Sequence, residues 1–217
     1  MRQFEFDSRI NMKGKMPIFP AEAIKDEPMF WSCDLNFAKE HAGPITKSFL
    51  ENLPMDWKDT THGLILDSRV HMLMEGFWPC IPGWHLDDVP RQRIDHQPEH
   101  FTPDYKSEHL LCFIGEESRT EFALGKGTLI EPAIGETIYG AWDPQIEQMC
   151  QENKLERLTA IGGIMYEFNW QTWHRGMRST GQGWRWFARI SRKTKRPVMN
   201  EIRRQTQVYM ETINAGW

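Results

Sequence analysis

The sequence predicts a mainly β fold with flanking helices: an antiparallel sandwich or barrel behind an N-terminal helical layer. Two observations predict this class. Short apolar runs bounded by Gly and Pro recur from Gly63 onward, whereas the helix signals lie mostly before that residue. The chain has 217 residues, of which 40 % are hydrophobic and 26 % charged, enough to bury a sizeable core. We therefore expect a single domain over residues 1–217.

The N-terminal section predicts an arm followed by helices. Residues 1–30 are polar and interrupted by prolines, which indicates little structure of their own. Asp34–His41 and Pro44–Leu53 carry helix signals. Asp34 suits an N-cap, and Pro44 suits the first position of a helix because its missing N–H would be unpaired there in any case.

The chain after Gly63 consists mainly of strand-like segments, each ended by a turn residue. In chain order the runs are Leu64–Leu66, Val70–Met74, His109–Ile114, Thr120–Leu124, Thr128–Ile130, Ala160–Phe168 and Trp184–Ser191. A helix is expected over Gln145–Arg157, with Asp143 as N-cap and Pro144 at its first position. A last helix is expected over Val198–Ile213.

Composition and charge argue against several classes of protein. No apolar run approaches the ~18 residues that span a bilayer, and the N-terminus lacks the apolar stretch of a secretory signal. A cytoplasmic protein without membrane contact is therefore expected. The four cysteines lie far apart and predict reduced thiols rather than disulfides or a zinc ribbon. The net charge of −4 argues against a globally basic nucleic-acid-binding protein.

Three residues are candidate metal ligands. His85 and Asp87 form a His-x-Asp pair, and in a strand residues i and i+2 face the same side. Such a pair supplies two of the three ligands of the facial triad that binds non-haem Fe(II). His174 follows an apolar strand and precedes a glycine-rich turn, which makes it a candidate third ligand. The alternatives are a surface turn with a solvated Asp87 and a packed His174.

A strand near the C-terminus carries two arginines. Alternation places Arg185, Phe187 and Arg189 on one face of Trp184–Ser191, opposite a face of core residues. Arginine is seldom buried without an anionic partner, and a guanidinium binds a carboxylate through two parallel hydrogen bonds. This face predicts a site for a dicarboxylate. The alternative is an exposed face with two solvated arginines.

These motifs occur in one order along the chain: His85-x-Asp87, then His174, then Arg185 and Arg189. In this order and spacing the sequence resembles the Fe(II)- and 2-oxoglutarate-dependent dioxygenases, over about Gly63 to Lys193. The resemblance implies a double-stranded β-helix, that is, a cupin-like jelly roll. The implied sections are an N-terminal arm with helices at 1–62, a jelly-roll catalytic core at 63–193 and a basic tail at 194–217.

The resemblance also implies roles for individual residues. His85, Asp87 and His174 would bind Fe(II), beside 2-oxoglutarate and O2. The distal carboxylate of 2-oxoglutarate would bind Arg185, as in phytanoyl-CoA hydroxylase-like members, or Arg189, since taurine dioxygenase-like members carry an arginine at both spacings. Further expected contacts are a hydroxyl from Thr120 to the cosubstrate and apolar pocket walls from Trp84, Trp173 and Phe187.

The expected activity is hydroxylation or demethylation of an unidentified substrate, coupled to oxidative decarboxylation of 2-oxoglutarate. One alternative is a cupin-like metal-binding jelly roll without 2-oxoglutarate chemistry. Another is a nucleic-acid-binding protein that uses the basic tail, which the net charge disfavours. His96 and His100 are rival ligands four residues apart, but Pro98 between them disfavours a shared helical face.

Overall fold

The computed structural model of the chain describes residues 2–58, 63–101, 106–133 and 135–210. The strands are β1 (Gln3–Ser8), β2 (Ile10–Lys15), β3 (Met29–Trp31), β4 (Ile65–Leu73), β5 (Glu108–Ile114), β6 (Thr120–Ile130), β7 (Glu156–Thr159), β8 (Ile164–Asn169), β9 (Trp173–Gly176), β10 (Gly183–Arg192) and β11 (Glu201–Arg203). The helices are α1 (Ala21–Lys25), α2 (Leu35–His41), α3 (Pro44–Glu51), α4 (Met55–Lys58) and α5 (Ile138–Gln151).

The strands form antiparallel sheets. The larger sheet has five strands in the order β2-β8-β5-β10-β4. The smaller sheet has four, in which β6 pairs with β1, β7 and β9. A short ribbon joins β11 to β3. The mainly β class predicted from the sequence is thereby confirmed.

The N-terminal helices cover the outer face of the larger sheet. Phe49 of α3 and Trp57 of α4 are fully buried in one apolar cluster with Trp186, Ala188 and Ile190 of β10. These β10 residues are the face that alternation assigns to the core. Burial of side chains of this size contributes about 1.5–3 kcal/mol each relative to exposure, so the helical layer is held mainly by apolar contact.

Local signals explain where these helices begin. The Asp34 carboxylate accepts hydrogen bonds from the Asn36 and Phe37 N–H groups, both at 2.9 Å, as expected of an N-cap. Pro44 is at the start of α3. The buried Glu27 carboxylate accepts hydrogen bonds from two N–H groups in the first turn of α3, at 3.1 and 2.8 Å. The N-terminal donors of both helices therefore have carboxylate partners.

Two further clusters fill the rest of the core. Between the sheets, Phe113 of β5 and Phe122 of β6 pack with Phe168 of β8. On the other side of the smaller sheet, α5 packs Trp142 and Ile146 against β1 and β6. None of the helices in the described ranges has the length and apolarity needed to cross a membrane.

The structure corrects three expectations about secondary structure. Residues 1–30, expected to have little structure of their own, contain β1, β2 and α1. The helix expected over Gln145–Arg157 spans Ile138–Gln151 instead, and Arg157 belongs to β7; Asp143 lies inside the helix, where its carboxylate accepts a hydrogen bond from the Trp84 N–H at 2.6 Å. The last helix expected over 198–213 is wrong over 198–210, which contain no helix and in which 201–203 form β11 against β3; residues 211–213 lie outside the described ranges.

His100 predicts a pH-dependent stability. Its side chain is 1 % exposed among Phe4, Tyr139 and Trp142, and in the part of the chain that the structure describes neither ring nitrogen has a hydrogen-bond partner. Burial and then the Arg93 charge lower its pKa to about 3, whereas the unfolded value is about 6.5. Between these pH values the unfolded state binds a proton that the folded state does not. Stability should therefore fall as the pH falls from 6.5 toward 3, by up to about 1.4 kcal/mol per pH unit.

The variant His100→Leu isolates this effect. It removes two unpaired polar atoms from an apolar cluster, so we expect its free energy of unfolding at pH 7 to equal or exceed that of wild type. The difference should grow in favour of the variant as the pH is lowered to 4. Urea unfolding at several pH values measures it, and a difference independent of pH would contradict the assignment.

Candidate metal centre

The structure brings the three predicted metal ligands together. His85 lies between β4 and β5 and forms an isolated antiparallel bridge to His174 of β9, with reciprocal N–H···O=C bonds of 3.0 and 3.2 Å. This bridge sets the two imidazoles side by side, with ring centroids 4.6 Å apart. Asp87 is two residues beyond His85. One donor atom from each of the three lies within 4.8 Å of the other two, and we call this set the triad.

Backbone carbonyl groups fix the orientation of both imidazoles. His85 Nδ1 donates to the Gly83 carbonyl and His174 Nδ1 to the Thr172 carbonyl, each at 3.0 Å. Because a carbonyl oxygen can only accept, Nδ1 carries the proton and Nε2 keeps its lone pair. A metal-binding histidine commonly donates its other ring N–H in this way. His174 Nε2 lies 3.1 Å from Asp87 Oδ2, so these two donors already converge.

The protonation states also suit metal binding, which requires neutral imidazoles and an ionised carboxylate. Burial and the neighbouring His174 lower the pKa of His85 to about 4. Burial by itself would raise the pKa of Asp87, but the adjacent Arg189 and His174 hold it well below its ordinary value. At neutral pH His85 is therefore uncharged and Asp87 is ionised.

The triad fits a metal ion in its donor chemistry and spacing. Metal–ligand bonds to nitrogen and oxygen are about 2.0–2.2 Å long, so donors within 4.8 Å of one another can share one ion after small side-chain movements. Two histidines and one carboxylate leave further coordination positions open. The site can hold a metal ion.

Arg189 lies against the triad, where carboxylates neutralise its charge. Its guanidinium forms ion pairs with Asp87, with Asp88 at 3.0 Å and with Asp67 at 3.4 Å. Although burial opposes the charge, these three carboxylates raise the pKa of Arg189. Arg196 completes the network, since it binds both oxygens of Asp67 at 2.5 and 2.9 Å. Arg189 thus holds Asp87 in place, and the start of the basic tail is tied to the site.

Arg185 is buried in the same cavity without such neutralisation. Its Nε donates to the Ser118 carbonyl at 2.9 Å and its Nη2 to the Thr120 hydroxyl at 3.2 Å. Its Cζ lies 5.1 Å from the Phe113 ring centroid and 5.2 Å from that of Phe187. Within the described ranges it forms no ion pair with a carboxylate. Burial lowers its pKa to about 10, which still leaves it charged at neutral pH.

The triad and Arg185 line one cavity of about 340 Å³. Their separation follows from strand register. His174 is paired with Phe122 of β6, and Thr120, which binds Arg185, is two residues along the same strand. Two residues of a strand span about 6–7 Å. The cavity therefore presents a possible metal ion and an unneutralised cation a short distance apart.

Of the three residues predicted to form apolar walls of the pocket, one lines the cavity and two do not. Phe187 lines the cavity. Trp84 and Trp173 do not line it: both are buried behind the triad, in the cluster that packs on α5. Each directly precedes a ligand in the chain, so alternation turns it away from the cavity. This corrects the expectation that they form pocket walls.

The rival ligands are not at the site. His96 is exposed and His100 is buried in the aromatic cluster already described. The sequence analysis missed Asp67, Arg69 and His71 of β4, which line the cavity beside β10. A signal for them exists: they are ionisable residues at alternate positions of a run whose other residues, apart from Ser68, are apolar.

The chain was compared with protein-family models and with curated proteins. Neither comparison found a match. The function of the protein must therefore be inferred from the triad, the buried Arg185 and the cavity that they share.

Proposed function

We propose that the protein is a non-haem Fe(II)- and 2-oxoglutarate-dependent dioxygenase on a jelly-roll fold. The observation that carries the proposal is the pairing of the triad with Arg185 in one cavity. A buried cation without a carboxylate is costly, and the fold retains one about 6–7 Å along β6 from the level of His174. A five-carbon dicarboxylate can reach from a metal at the triad to this arginine.

The two β10 arginines differ in whether their charge is free to bind a ligand. The charge of Arg189 is already satisfied by Asp67, Asp87 and Asp88. Arg185 has two neutral acceptors, the Ser118 carbonyl and the Thr120 hydroxyl, and keeps its charge unmatched. We therefore assign the distal carboxylate of 2-oxoglutarate to Arg185, with Thr120 orienting the guanidinium. Arg189 is assigned to positioning Asp87.

When bound, Fe(II) supplies the oxidising chemistry by which O2 and 2-oxoglutarate yield succinate and carbon dioxide while a substrate C–H bond becomes C–OH. The residues of the chain bind the metal and the cosubstrate and hold the metal ligands in orientation. The backbone bridge between His85 and His174 fixes the imidazoles, and Arg189 fixes Asp87. Phe187 and Leu111 line the cavity and keep water from the reacting groups.

Two alternatives make different use of these residues. A metal-binding jelly roll of the cupin kind accounts for the triad but gives Arg185 no partner. A nucleic-acid-binding protein would need free charges on the basic tail. Arg192 and Lys193, just before the tail, form ion pairs with Glu108, and Arg196 in the tail forms one with Asp67. These three cations are therefore not free to bind a nucleic acid, whereas the triad has no role in that alternative.

Stepwise ligand stabilisation tests the proposal. A ligand that binds only the folded state at 100 times its Kd adds about 2.7 kcal/mol to the free energy of unfolding, or about 5–10 °C in Tm for a chain of this size. Under anaerobic conditions we expect Fe(II) to raise the Tm, and 2-oxoglutarate to raise it further when the metal is present. Stabilisation by metal with no further effect of 2-oxoglutarate would favour the cupin-like alternative.

A further inference from the structure

A second group of cations lies beside the proposed cosubstrate site. Arg69 of β4 is opposite Phe187 of β10 and lines the cavity. In the part of the chain that the structure describes, its guanidinium has neither an ion pair nor a hydrogen bond. Arg69 is partly exposed, whereas Asp67 and His71 on either side of it along the same face of β4 are buried, so Arg69 lies nearer the solvent-exposed margin of the cavity.

Arg203 of β11 lies behind this part of the cavity, against a lining residue. Its Cζ lies 4.0 Å from the ring centroid of Trp31, which itself lines the cavity. Two of its guanidinium nitrogens, Nε and Nη2, are buried and have no hydrogen-bond partner among the described residues. Burial and then the nearby Arg69 charge lower the pKa of Arg203 to about 10. Two like charges are thus held close together with unsatisfied donors.

Carboxylates match several other cations around the cavity. Asp67 and Asp88 pair with Arg189 and Arg196, and Asp87 pairs with Arg189 and belongs to the triad. Arg69 and Arg203, by contrast, form no ion pair with a carboxylate among the described residues. Glu201 lies near Arg203 but forms no ion pair with it among the described residues.

Arginines with unused donors, grouped at one end of a cavity, provide the planar forks that bind carboxylate and phosphate. A patch of one charge sign at the entrance also draws oppositely charged molecules toward the site. The cavity volume of about 340 Å³ falls in the range of small-molecule sites, about 300–1,000 Å³.

We propose that Arg69 and Arg203 form an oxyanion site at the margin of the cavity and bind a carboxylate or phosphate group of a small-molecule substrate. The existence of the anion site is independent of the oxygenase chemistry. Its role as the substrate-recognition site rests on the proposed function. Trp31, whose ring lies under the Arg203 guanidinium, holds that guanidinium in place beside the cavity.

Calorimetric titration with inorganic phosphate and, separately, with acetate tests the site in the full chain. We expect both Arg69→Met and Arg203→Met to weaken binding of the preferred anion by about tenfold or more, the usual effect of losing hydrogen bonds to a charged group. Arg69→Lys should restore part of the affinity. The exposed Arg9, which pairs with Asp7, gives the matched control Arg9→Met, with unchanged binding.

A second pair of titrations separates this proposal from the proposed function. Phosphate binding should persist with Fe(II) and saturating 2-oxoglutarate, and should persist in Arg185→Met. If 2-oxoglutarate does not bind but the binding of phosphate still depends on Arg69, the oxygenase proposal fails and the anion site stands. The site would be overturned by any of three results: no anion binding by wild type, wild-type affinity in the Arg69→Met and Arg203→Met variants, or displacement of phosphate by 2-oxoglutarate.

Discussion

His174→Ala should abolish metal binding while leaving the fold intact. The imidazole provides one of three donors, and its Nε2 lies 3.1 Å from Asp87. Loss of groups that only orient a ligand typically costs 10–100-fold in metal affinity, so loss of a ligand itself should cost more than about 100-fold. The backbone bridge to His85 does not depend on the side chain. Equilibrium dialysis with Fe(II) under anaerobic conditions measures the change.

His96→Asn is the matched control for this experiment. His96 is exposed, was a rival candidate ligand, and has a positive φ of 58° that asparagine tolerates. The affinity of the His96→Asn variant for the metal should equal that of wild type. Equal metal binding by His174→Ala and wild type would remove the triad as the metal site.

Arg185→Met should abolish 2-oxoglutarate binding without destabilising the protein. Removing one partner of a buried, hydrogen-bonded charge pair costs about 2–5 kcal/mol, which is about 30-fold to several thousand-fold in Kd. In the absence of the ligand, the substitution removes an unmatched buried charge, so the Tm of the free protein should stay the same or rise. A stability gain with a binding loss is the signature of a residue kept for its ligand.

Calorimetry with 2-oxoglutarate on the metal-loaded, anaerobic protein measures this effect. Arg192→Met is the control, because Arg192 is in the same strand but pairs with Glu108 away from the cavity. Its affinity for 2-oxoglutarate should be unchanged. Unaltered binding in Arg185→Met would assign the cosubstrate carboxylate elsewhere.

Much of the site is predictable from the sequence because it depends on local periodicity. Alternation on β10 correctly separates Arg185, Phe187 and Arg189, which line the cavity, from the core residues between them. His85 and Asp87 also meet at one place as predicted, but not within a strand: His85 forms an isolated bridge to His174, and Asp87 follows in a bend. The N-cap at Asp34 is local too, and α2 begins where it predicts.

The remainder depends on contacts between distant parts of the chain. Carboxylates on other elements decide whether Arg185 or Arg189 is available to a ligand. They are Asp67 of β4 and Asp88, which directly follows Asp87. The strand β1 is stabilised by pairing with β6, more than a hundred residues away, and a local reading of its polar surroundings misses it. Trp84 and Trp173 could have been placed correctly, since the alternation that faces the ligands inward faces these neighbours outward.

An anaerobic visible spectrum reports whether the metal and 2-oxoglutarate are bound together at the triad. Addition of Fe(II) and 2-oxoglutarate to wild type should produce the weak charge-transfer band expected when the cosubstrate chelates the metal. The band should be absent in His174→Ala and should require much more 2-oxoglutarate in Arg185→Met. A wild-type protein without the band, or a band undiminished in His174→Ala, would contradict the account.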